Sequence, residues 1–199
     1  MLIDYIGMER CDILYYLLNA GNKIGSSILA IDNSITGDLY HIYERQSMES
    51  AVVENLTVVR NKLVSQEIME AYDYIFLYEG VDPQFIGPRG LTIFAPSCSE
   101  AEWHFIKDIE GADTADRILI LRDVSSRKIS AKNVEDEFRV EFDEELAHEI
   151  NEKEHAAYIA LTHNHAGRIP KGGEIFGITI RLLEKIFQVN KQDIKRLIK

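Results

Sequence analysis

Short apolar runs that do not alternate with polar residues constrain this chain more than any other feature. Ile28–Ile31 (ILAI), Leu56–Val59, Tyr74–Leu77, Leu91–Ala95 and Ile118–Leu121 are such runs, and Leu2–Ile6 is a shorter apolar opening ended by Gly7. A strand with one face in water alternates, so unbroken runs mean strands buried on both faces, as in a parallel sheet covered by helices. Helical spacing falls between them. Cys11, Leu14, Tyr15, Leu17 and Leu18 recur on one face up to Gly21, and Val64–Tyr72 reads as a short helix. Ser97 or Ser99 caps a helix carrying Ala101, Trp103, Phe105, Ile106 and Ile109, with Glu100 and Glu102 near its positive end. Arg139–Phe142 is a further strand candidate, and the tail from Glu145 reads as mostly helical, broken around Gly167–Gly173. Strand and helix taking turns define a doubly wound α/β fold with a mostly parallel sheet and helices on both faces, as one domain over residues 1–199.

Composition narrows the class. The formal net charge is −11, from 33 acidic and 22 basic side chains. That total argues against a protein that coats nucleic acid, which needs clustered Lys and Arg. No run approaches 18 apolar residues and the N-terminus lacks a basic start, so membrane-spanning and secreted classes are set aside. Two cysteines, Cys11 and Cys98, make no disulfide framework, and the expected compartment is the cytoplasm. The charge is uneven: residues 135–154 hold ten acids against Arg139 and Lys153, a local −8, while residues 176–199 carry +4. This is an ordinary solvated face, or an acidic surface for a basic partner with a C-terminal anchor.

Ligands of doubly wound sheets bind beyond the carboxyl ends of the strands. The segments to inspect are therefore Gly7–Cys11, Asp32–Thr36, Tyr78–Asp82, Pro96–Ser99 and Arg122–Arg127. A phosphate loop needs converging backbone amides, a Lys for the terminal phosphates and a Ser or Thr for magnesium. The first turn, Gly7-Met8-Glu9-Arg10-Cys11-Asp12, has one glycine, no Lys, no Ser or Thr, and two carboxylates that repel phosphate. Gly172–Thr179 has the glycine spacing, but Ile178 stands where Lys is required and no strand precedes it.

Five segments, in order across roughly residues 1–130, resemble the MinD/ParA group of P-loop ATPases, which includes relatives in pilus assembly (TadZ/CpaE) and cellulose secretion. MLIDYIGMERCDILYYLLNAGNKIG sits where that group has its first strand, deviant phosphate loop and first helix. SSILAIDNS resembles the second strand, and AYDYIFLYEG the "YDYIIID" strand. LTIFAPSCSEAEWHFIKDIEG resembles the strand, "P-S" turn and helix that follow, and DRILILRDVSSRKISAKNVED the next strand and its loop, which in active members contacts the base.

The departures carry the functional reading. The family's KGGxGKS/T loop is replaced by Gly7-Met8-Glu9-Arg10-Cys11. Asp32 stands where the family places an acid that orients the attacking water. At the magnesium-linked position the chain has Tyr78, with Glu79 one residue late and, by strand alternation, on the other face. Phosphoryl transfer rests on neutralising the transferring group, and little here does so. The resemblance thus implies a scaffold or regulatory protein without catalysis, acting through protein partners and as a homodimer in localisation, secretion or pilus assembly. Neither nucleotide nor metal is expected, and nucleic acid is not a partner. The competing reading is a nucleotide-binding sensor or weak ATPase that takes ATP and magnesium through Asp32, the Arg122–Arg127 loop and backbone amides. A receiver-like domain ranks lower, because Tyr74–Leu77 ends in Tyr78-Glu79 rather than a phosphoacceptor Asp.

Other candidates have simpler explanations. His155, His163 and His165 lack a third ligand fixed by spacing, and polar residues at a helix end before Gly167 account for them. Cys98, before a helix N-terminus, has no base at a suitable distance in His104 and reads as structural. Tyr15, Tyr16 and Trp103 read as core. MinD-like proteins can end in an amphipathic membrane helix. Phe176, Ile180, Leu183 and Phe187, then Ile194, Leu197 and Ile198 among Lys191, Lys195, Arg196 and Lys199, give that pattern here for weak peripheral recruitment.

Overall fold

The computed structural model describes residues 1–8, 10–47, 52–81, 89–99, 103, 114–124, 129–139, 141–149, 151–163 and 173–197. The described elements, in chain order, are β1 (Leu2–Gly7), α1 (Asp12–Ile24), β2 (Ile28–Asp32), α2 (Asp38–Ser47), β3 (Val52–Val53), β4 (Leu56–Arg60), α3 (Gln66–Ala71), β5 (Tyr74–Gly80), β6 (Arg89–Ala95), β7 (Thr114–Val124), α4 (Ala131–Phe138), β8 (Glu144–Glu149), α5 (Glu152–Thr162), α6 (Glu174–Phe187) and α7 (Lys191–Leu197). The strands form one sheet in the order β3-β4-β2-β5-β1-β6-β7-β8. Every neighbouring pair is parallel except β3 with β4.

The unbroken apolar runs do what their pattern requires. Ile28 and Ala30 of β2, and Phe76 and Tyr78 of β5, join the large cluster that α1, α6 and α7 also enter. Leu29, Ile31, Ile75 and Leu77 join a second cluster on the opposite face, against which Ile68 of α3 packs. Ile6, Phe94, Trp103, Leu119, Leu121 and Val134 form a third. Trp103 is thus core, its indole N–H donating to the Ser97 carbonyl (2.7 Å); of the other apolar positions expected on its helix, none lies within the described residues.

Two expectations are corrected. The strand expected over Arg139–Phe142 is absent from its described residues: α4 ends at Phe138, Arg139 turns left-handed (φ 51°) with its N–H returning to the Glu135 carbonyl, and Glu141 and Phe142 belong to no strand. The eighth strand is Glu144–Glu149, so the tail begins with a strand and is helical only from Glu152. Its sequence, EELAHE, is too polar to announce burial; pairing with β7 makes it a strand. β5 also continues past Leu77 to Gly80. Of the C-terminal apolar stripe, Ile180, Leu183, Phe187 and Ile194 are buried in the core and Phe176 is half-buried against it, while the side chains of Leu197 and Ile198 lie outside the described residues. The basic face meets the acidic segment within the chain, Arg181 Nε lying 2.5 Å and Lys185 Nζ 3.9 Å from the Glu144 carboxylate. Among the described residues, no helix is long and apolar enough to cross a membrane.

The strand order reverses at β1. From there the chain fills one side with β2, β4 and β5, then crosses to β6, β7 and β8. The crevice beyond the carboxyl ends at this reversal is where such sheets bind ligands, and the Gly7–Asp12 turn stands in it.

Candidate functional site

Gly7 ends β1 pressed against β6. Its φ is +148°, and a Cβ there would lie 2.2 Å from the Ala95 carbonyl oxygen. The Met8 N–H donates to that same oxygen (3.2 Å), and the Arg10 N–H turns back to the Met8 carbonyl (2.7 Å). The chain then enters α1 at Cys11 without a side-chain cap. Glu9 lies outside the described residues.

Asp12, in the first turn of α1, takes the position at the helix's positive end. Its Oδ1 accepts from the Ile13 N–H (2.8 Å) and from Arg122 Nη1 (2.8 Å). Its Oδ2 accepts from Arg122 Nη2 (3.0 Å) and Arg10 Nε (2.8 Å). Asp12 is 1% and Arg122 0% exposed, so a bidentate ion pair is sealed under the turn. Burial raises the Asp12 pKa, but the charge and hydrogen bonds of Arg122, with the charge of Arg10, outweigh it and hold the carboxyl below its ordinary value.

The network continues outward. Arg10 Nη1 donates to Asp123 Oδ1 (3.3 Å), and the guanidinium lies 5.1 Å over the centre of the Tyr158 ring. His148 stands between carboxylates, its Nδ1 3.3 Å from Asp123 Oδ1 and its Nε2 3.1 Å from Glu154 Oε2. His148 foremost, then Arg10 and Arg122, hold the Asp123 pKa low against its partial burial. Glu154 Oε1 accepts from the Ile175 N–H (3.0 Å) at the start of α6. Six ionisable side chains from the turn, α1, β7, β8 and α5 thus form one connected system. Beside it a cavity of about 280 Å³ is lined by Arg10, Asp123, Asn151 and His155.

The remaining predicted positions are structural in geometry. Asp32, at the end of β2, accepts from the Ser34 N–H (3.0 Å) and hydroxyl (2.5 Å) on one oxygen and from the Tyr40 N–H (2.9 Å) on the other. It thereby closes the loop and caps α2. Burial pushes its carboxyl above the usual value, against the pull of those hydrogen bonds and Arg60. Tyr78 is fully buried, edge-on to Tyr5 with centroids 5.8 Å apart, and its hydroxyl reaches the Met8 carbonyl (3.5 Å). Glu79 is passed over in the register, where Tyr5 pairs with Tyr78 and Ile6 with Gly80; it is buried, with Asn33 Nδ2 3.3 Å from its carboxylate. Burial, then the charges of Asp38, Asp12 and Asp32, push the Cys11 thiol well up, which suppresses its thiolate.

Of the loop expected after β7, Arg122 and Asp123 join the site, while Arg127 lies outside the described residues. His163 caps the C-terminal end of α5 and His165 lies outside the described residues. No group of three metal-binding side chains occurs among the described residues. Sequence reasoning missed His148 and Glu154 altogether. Nothing marks them, because they sit inside the acidic stretch and acquire meaning only through burial.

Helix placement and strand order define a doubly wound α/β fold, and known structures place it more narrowly as P-loop-NTPase-like. The chain is similar to a ParA family ATPase from Chlorobium tepidum TLS, with TM-score 0.57 and 10% identity over 91% of this chain and 96% of that one. It is similar to a chain of the MinC:MinD cell division protein complex from Aquifex aeolicus, with TM-score 0.58 and 13% identity over 96% and 99%. A plasmid partition protein from Borrelia burgdorferi B31, bound to AMPPNP, gives TM-score 0.52 and 9% identity over 94% and 98%. No protein-family model matches the sequence, and no curated protein matches it. The likeness is one of fold: this chain has the MinD/ParA fold.

Proposed function

We propose that this chain is a MinD/ParA-fold protein without ATP turnover, serving as a scaffold or regulatory protein through protein–protein contacts. The observation that carries this reading is the buried Asp12–Arg122 pair under the first turn. A triphosphate brings its own negative charge to that turn, where a carboxylate already takes the Ile13 amide and both nearest guanidinium groups. Expelling Asp12 would leave it desolvated or force the turn open, at a cost of several kcal/mol. Tyr78 supports the same reading. A phenol bonded to the Met8 carbonyl offers magnesium no carboxylate. Asp32, which the competing sensor or ATPase reading needs for orienting water, has both oxygens engaged in holding Ser34 and α2.

The fold neighbours indicate the setting. One belongs to a cell division complex of two proteins and another to plasmid partition. By that analogy the partners are proteins, a second copy of the chain among them, in localisation, secretion or pilus assembly of the TadZ/CpaE kind. The test is a phosphate-release assay at millimolar ATP and magnesium. Release at the buffer rate is expected; magnesium-dependent turnover proportional to protein concentration would overturn the proposal.

A further inference from the structure

We infer that the turn between β1 and α1 is a carboxylate-binding site whose resident ligand is the chain's own Asp12, an inference that rests on the reading that no nucleotide uses that turn. Four donors converge on two oxygens, two on each: the Ile13 amide and Arg122 Nη1 on Oδ1, Arg122 Nη2 and Arg10 Nε on Oδ2. A guanidinium fork closing on both oxygens matches a planar carboxylate better than a tetrahedral oxyanion.

Part of the receptor is anchored apart from its ligand: the Arg122 backbone N–H donates to the Pro96 carbonyl (2.8 Å), and the Arg10 guanidinium is held by Asp123 and the Tyr158 ring. The donors also exceed what Asp12 uses, since Arg122 Nε and Arg10 Nη2 are buried with no hydrogen-bond partner among the described residues. Removing the Asp12 carboxylate leaves two buried guanidinium groups, of which Arg10 keeps Asp123 at 3.3 Å, and a space of one carboxylate between them. A cavity of about 280 Å³, lined by Arg10, Asp123, Asn151 and His155, lies on the outer side of Arg10. The ligand class is therefore a small monocarboxylate, which enters where Asp12 leaves.

The experiment is the thermal unfolding of Asp12→Ala against sodium acetate, with sodium chloride and sodium phosphate at matched ionic strength. Acetate raises the variant's midpoint with the logarithm of its concentration above the dissociation constant, by roughly 3–5 °C at ten times that constant. The wild type responds to acetate no more than to chloride, and D12A/R122M loses the response. If D12A does not fold in chloride, Asp12→Ser, whose hydroxyl still accepts from the helix amide, carries the same titration. An acetate response no greater than chloride, or a response to phosphate alone, overturns the inference. Neither outcome touches the phosphate-release result on the wild type, so the two failures are distinguishable.

Discussion

Replacing Arg122 by methionine lowers stability by about 3–5 kcal/mol, the cost of leaving a buried charge without its partner. Arg122 is fully buried and supplies two of the four hydrogen bonds on the Asp12 carboxylate, so the variant strands Asp12 with Arg10 and one helix amide. The pH dependence gives the effect its signature. In the wild type the folded pKa of Asp12 lies below its unfolded value. Its contribution is therefore present above the unfolded value of about 3.9 and is lost as pH falls toward the folded one. Without Arg122 the opposing effect of burial dominates, and protonation relieves the variant. The gap between wild type and R122M in urea denaturation thus narrows from pH 7 to pH 4. A gap that is constant with pH would mean that Arg122 contributes packing rather than charge.

Gly7→Ala is the second large effect, about 2–5 kcal/mol. Two costs add: an unfavourable backbone conformation at φ +148°, and a Cβ placed 2.2 Å from the Ala95 carbonyl oxygen, where backbone rather than a yielding side chain must move. Gly25→Ala separates the two. Gly25 has φ +90° but open space around its Cβ, so it carries the conformational cost alone. Urea denaturation of both variants should show G7A well below G25A. Equal losses would mean that β1 and β6 can part at no cost, and that the turn is not clamped as described.

The legible part of this molecule is the part governed by local pattern. ILAI at Ile28–Ile31 announces burial on both faces, and the structure splits it between two clusters. Strand ends then locate the site, so Gly7, Arg10, Asp32 and Tyr78 were all identifiable as positions in the crevice. What they do there was less legible. Asp12 reads from sequence as a carboxylate that repels phosphate, whereas the fold makes it the buried partner of a residue 110 positions away. No spacing rule couples residues so distant. The same holds for His148 and Glu154, which the −8 stretch presents as solvent-facing acid and base yet which are each 1% exposed. β8 was missed for a related reason: an edge strand of alternating exposure with three glutamates carries no apolar run. The helix Asp38–Ser47 escaped notice because its stabilising cap, Asp32, comes from the preceding strand rather than from the residues beside it.

If the chain's own ion pair stands in place of nucleotide at the first turn of the MinD/ParA fold, calorimetric titration of the full chain with ATP and magnesium gives no saturable heat up to millimolar nucleotide. Saturable, magnesium-dependent binding at micromolar concentration would contradict it.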